Sequence, residues 1–164
     1  VRPTVFVENF FLRFAAPSVA ADNEIRLPFG DGRTSPVAAA DVARSLAAIL
    51  ADPAPHIGAT YHLTGPESQD MHYYAAEYSA ALGRTITYRD IPVGPWRETL
   101  VKRGMAPHLI EHLSAMADLH RAGRYDRMTD DVQKLTGQAP ASVREFVRRH
   151  AEAFTASDKP AGAA

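Results

Sequence analysis

Two histidines stand four apart with a glutamate beside the second, in the run His108-Leu109-Ile110-Glu111-His112. On a helix, such an i, i+4 pair shares one face and can bite a single metal ion, with the glutamate acting as base on a bound water. The neighbouring residues argue against that chemistry. On a helical wheel Leu109, Leu113, Met116, Ala117 and His120 centre the apolar stripe, His108 and His112 flank it, and Glu111 points away. A metal-binding pair and its base must face one cavity, and so short a pattern recurs by chance. No metal is expected, and His108 and His112 stand as candidates for contact with a small-molecule substrate.

Other reactive constellations fail on spacing. Gly30-Asp31-Gly32-Arg33-Thr34-Ser35 imitates a phosphate-cradling loop, but Ser35 replaces the third glycine and Pro36 opens an extended piece. Such a loop must deliver its N–H groups at a helix N-terminus, so a hairpin turn is the expected reading. None of the three lysines, Lys102, Lys134 and Lys159, has a tyrosine four residues before it, so no Tyr-x-x-x-Lys proton-donating pair exists. No G-x-S-x-G elbow occurs, and the chain has no cysteine, which removes thiol catalysis and disulfides from this segment. His62, His120 and His150 fall on a strand or on apolar faces and are expected to be structural. Tyr73, Tyr74 and Tyr78 crowd one helix without a basic stripe, so they read as packing.

The elements that must position any site follow from periodicity. Val1–Arg2 reads as the end of a buried strand, because Pro3 holds Arg2 extended; partner strands are expected upstream of Val1, and an open edge there is expected to favour self-association as a homodimer. Val7 to Phe14 reads as one or two helical turns stopped by Pro17. Glu24–Phe29 reads as a strand paired through Gly30-Asp31-Gly32 with a piece near Pro36–Ala38. Asp41 is expected to cap a helix to Ala51 that buries Val42, Leu46, Ile49 and Leu50. A strand over Thr60–Leu63, a helix over Gln69–Leu82 ending at Gly83, and a strand over Thr85–Ile91 come next. Helices then follow from Pro95, from Pro107 to Ala122, after Thr129 to Gly137, and from a Ser142/Glu145 capping box to about Phe154. The expected division is sheet and flanking helices over 1–92, a helical cap over 93–154, and a disordered tail over 155–164.

With 164 residues, 18 basic against 19 acidic, the net charge is −1, which gives no electrostatic case for direct nucleic-acid binding or for an anionic membrane. No apolar run approaches the roughly 18 residues of a membrane span, and a cytoplasmic setting is expected. Ligands of open α/β sheets bind beyond the carboxyl ends of strands. Pro3, Thr4, Phe6, Glu8 and Asn9 follow the opening strand directly and are the best-placed candidates, although Asn9 equally reads as a helix cap.

Several pieces together resemble one family. Arg2-Pro3-Thr4-Val5-Phe6-Val7-Glu8-Asn9-Phe10 is similar to its "R-P-x-x-F-x-E-N" segment, Asp41-Val42-Ala43 to a helix start, and Gly58-Ala59-Thr60-Tyr61-His62-Leu63-Thr64-Gly65-Pro66 to its "G-x-x-Y-x-L-T-G-P" strand. Thr129-Asp130-Asp131 to Gly137 and Ser142 to His150 are similar to its C-terminal end. The family is the NmrA-like group of atypical short-chain dehydrogenases/reductases. The resemblance implies an α/β chain that forms the C-terminal part of a Rossmann-type NAD(P)-binding fold with a helical, substrate-side cap. It implies NADP or NAD as cofactor, with the main binding loop upstream of Val1. It also implies that Pro3, Thr4, Phe6 and Asn9 border the cofactor, while Glu8, Trp96, His108 and His112 lie toward the substrate. The implied activity is NAD(P)H-dependent reduction of a quinone or similar carbonyl compound; the alternative is a non-enzymatic NAD(P)-sensing regulator.

Overall fold

The computed structural model describes residues 1–155. The tail expected over 155–164 lies, apart from Thr155, outside the described residues. The first strand, β1 (Arg2–Pro3), pairs in parallel with β3 (His62–Leu63) in the register Arg2↔His62 and Pro3↔Leu63. Arg2 N–H donates to Tyr61 O (2.7 Å) and Thr4 N–H to Leu63 O (2.9 Å). The missing N–H of Pro3 therefore falls on the other edge, where no ladder bond is lost. That edge is open among the described residues, and β1 is exposed rather than buried as expected.

A wide helical segment, Glu8–Phe14, leaves β1 with π-type hydrogen bonding, as in Ala15 N–H to Phe10 O at 3.1 Å. It continues into α1 (Ala16–Asp22), so Pro17 starts a helix instead of stopping one. In a first turn its missing N–H has no partner to lose. Asn23 closes α1 in the left-handed conformation, at φ 58°.

The hairpin expected between residues 24–29 and 36–38 does not form. β2 (Glu24–Leu27) pairs in parallel with β4 (Thr87–Asp90), from Glu24↔Thr87 to Leu27↔Asp90. Residues 34 and 37 form single bridges elsewhere, Thr34 to Gln69 and Val37 to Phe6. The reason lies in Phe29. Its ring is fully buried, stacks on His120 at 3.8 Å and meets Phe10 edge-on at 5.0 Å, which pulls the chain off the hairpin path. Gly32 is obligatory on that path, because a Cβ there would lie 2.0 Å from His120 O.

Helix α2 (Ala39–Ala51) starts at Ala38, not at Asp41. Asp41 is buried in the first turn, where it accepts the Ala141 N–H at 2.8 Å and pairs with Arg44. Of the expected stripe Val42 is buried, but Leu46 is 40% exposed and Leu50 76%. The helix packs on α6 (Asp131–Thr136), and Val37, Val42, Leu63 and Val132 form a small core there.

The main core gathers the aromatic π-segment, β2, α3 (Met71–Leu82), α4 (Val93–Lys102), α5 (Pro107–Arg121) and α7 (Val143–Arg149). Helix α3 buries Met71, Tyr74, Ala75 and Tyr78 as its spacing predicts, is capped by Asp70 and ends on Gly83 at φ 67°. Helix α4 begins two residues before Pro95. The α7 capping box is complete: Ser142 N–H donates to Glu145 (3.0 Å) and Glu145 N–H to Ser142 Oγ (3.2 Å). No helix among the described residues is long and apolar enough to cross a membrane.

Helices α3 and α7 are also tied by Arg144, which donates through Nε and Nη2 to the two Glu77 oxygens at 3.0 and 2.5 Å. Glu77 is nearly buried. Arg144→Ala is expected to lower the midpoint of chemical denaturation, because it leaves that carboxylate without its partner. The double replacement E77A/R144A should cost less than the sum of the singles in chemical denaturation.

Candidate functional site

The exit of β1 is where the first sheet pair ends and where three segments converge. Thr4 donates its hydroxyl to Ser35 O at 2.6 Å. Val37 N–H donates to Val5 O (2.9 Å) and Val7 N–H to Val37 O (3.1 Å), which extends the parallel pairing past β1. Glu8 Oε1 then accepts the Ala39 N–H at 3.0 Å. Ala38 has no side-chain oxygen to cap α2, so a carboxylate 31 residues away in sequence does it, at the end where the helix dipole favours negative charge. Glu8 Oε2, Thr34 Oγ1 and Ser35 Oγ are buried without a hydrogen-bond partner. Gly65 seals the other side, since a Cβ there would lie 2.1 Å from Pro36 O.

The structure brings Pro3, Thr4, Phe6, Glu8 and Asn9 together at this exit and leaves the other candidates elsewhere. Pro3 and Asn9 are exposed, and Phe6 is half-buried against the small core. Among the described residues Asn9 makes no side-chain hydrogen bond, and it lies inside the segment that starts at Glu8 rather than capping it. Glu8 is committed to α2 through one oxygen. Trp96 is 4% exposed and packs between Phe10 (6.5 Å) and Phe14 (5.9 Å), inside the core and not on a pocket wall. His108 and His112 face solvent, because α5 buries Ile110, Leu113, Ser114, Ala117 and His120. The stripe is turned relative to the wheel reading. Glu111 pairs with Arg97 at 2.5 Å. Among the described residues no group of three or more His, Cys, Asp or Glu is placed to hold a metal.

A trough at the carboxyl ends of β2 and β4 was not read from the sequence. One hollow, of about 490 Å³, is lined by Gly30 to Arg33, Asp90, Arg121 and Asp126. A neighbouring one, of about 510 Å³, shares Arg33 and Asp126 and reaches Pro66 to Gln69, the turn after β3. The carboxyl ends of β2 and β4 thus open on the first hollow and the turn after β3 on the second, at the strand ends where ligands of α/β sheets usually bind. Charges are mixed. Arg121 Nη2 meets both Asp90 oxygens at 2.6 Å, Gly30 N–H donates to Asp90 at 2.9 Å, and Arg33 lies 3.5 Å from Asp126. Burial works to raise the Asp90 pKa, but Arg121 and the Gly30 N–H outweigh it and hold the carboxyl below its usual range. The only sequence signal for this trough is the glycine pair, which close approach to α5 explains better than a turn.

Behind the trough, His120 is fully buried between Phe29 and Tyr125. Nδ1 lies 2.7 Å from Met116 O and so carries the proton, leaving Nε2 as a buried acceptor without a partner. Burial pushes its pKa down to about 4, against the opposing pull of the Met116 carbonyl. The unfolded chain then binds the extra proton between about pH 6.5 and 4, so stability falls as pH falls through that window, by about 3 kcal/mol in all. In pH-dependent denaturation, His120→Phe should remove this slope.

Comparisons with known proteins agree with this architecture. No protein-family model matches the chain. The NAD(P)H azoreductase of Xenophilus azovorans is 29% identical over 157 residues, which are 96% of this chain and 54% of that protein. The NADPH complex of the Escherichia coli quinone oxidoreductase QOR2 superposes with a TM-score of 0.76 at 20% identity, over 91% of this chain and 52% of that one. NmrA, a negative transcriptional regulator solved with NAD, superposes with a TM-score of 0.54 at 24% identity, over 76% and 42%. The chain spans about half the length of the curated relatives it matches. The fold expected from its motifs is borne out: the chain superposes on the C-terminal part of the NAD(P)-binding epimerase and reductase folds.

Proposed function

We propose that this chain is the substrate-side portion of an NAD(P)H-dependent oxidoreductase that reduces a quinone or similar carbonyl compound. The observation that carries the reading is the likeness to an NAD(P)H azoreductase across nearly the whole chain, joined to the closer superposition on a quinone oxidoreductase than on a regulator. The same contrast favours a reductase over a dinucleotide sensor.

In this reading Pro3, Thr4, Phe6 and Asn9 border the nicotinamide end of NAD or NADP. The described residues suit that end only. A pyrophosphate needs a glycine-rich turn running into a helix N-terminus, and here α2 begins well after Gly30 and Gly32. The pyrophosphate loop is assigned to the part of such proteins that this chain does not span. When bound, the reduced nicotinamide supplies the hydride. Thr4, locked to Ser35, and Val5, locked to Val37, hold the floor of the site rigid. Glu8 orients α2. Trp96 acts through packing under Phe10 and Phe14, and His108 and His112 lie exposed on α5. Among the described residues no acid–base pair is positioned at the exit of β1, which suits an acceptor already electrophilic enough to take hydride, with the proton drawn from solvent. The trough supplies polar walls for the carbonyl compound.

The test is oxidation of NADPH and NADH by the intact protein with menadione, followed by loss of nicotinamide absorbance. Quinone-dependent turnover is expected. Tight dinucleotide binding without turnover would count for the regulator.

A further inference from the structure

We draw no further inference here: the strongest candidate, the outward face of α2, where Ala43, Leu46, Ala47, Leu50 and Ala51 stand exposed, is an unpartnered apolar helix face, and nothing in the structure shows what covers it.

Discussion

The exit of β1 is closed by bonds that no local signal would supply. A strand of two residues has too few ladder bonds to fix the chain that follows it. Its direction is set instead by the Thr4 hydroxyl on Ser35, the Val37 exchange with Val5 and Val7, and the Glu8 carboxylate on the first turn of α2. These contacts join residues 4–8 to 35–39, and through Leu63 to β3. If the cap were lost, α2 would start with an unsatisfied N–H and the exit would lose its outer wall. The rest of the site inherits its geometry from this junction.

Aromatic packing carries that geometry across to the helical half. Phe10 touches Phe14, Phe29, Trp96 and His120. The π-segment leaving β1, the loop leaving β2, α4 and α5 are thus fixed by one cluster. A wide helical turn places three phenylalanines, Phe10, Phe11 and Phe14, inward at once. The polar trough borders this cluster, and its ion pairs hold the loop ends: Arg121 also donates to Pro28 O at 3.1 Å, locking the end of β2 to α5.

Much of the element order was legible in the sequence because it rests on local physics. The α3 stripe, the Gly83 and Gly137 stops and the Ser142/Glu145 box are short-range patterns, and each forms as read. Readings that depended on distant partners failed. Pro17 was read as a stop, yet in a first turn it is neutral. Asp41 was read as a cap, yet Glu8 does that work while Asp41 accepts from Ala141. The glycine pair at 30 and 32 looked like a hairpin because its cause, the approach of His120 O, lies some 90 positions away in the chain. Trp96, a large aromatic placed on the site by resemblance, went to the core. The cluster at residues 3–9 was singled out because strand ends are a general rule of α/β folds, not because any one residue there is diagnostic.

The central claim is that the nicotinamide end of the cofactor lies against the exit of β1. Amide chemical shifts of isotope-labelled protein, followed as NADPH is added, test it most directly. The account predicts saturable shifts concentrated at Thr4, Phe6 and Asn9 and at the neighbouring Ser35, Val37 and Leu63. Saturable shifts confined to other regions, or none at all, would contradict it.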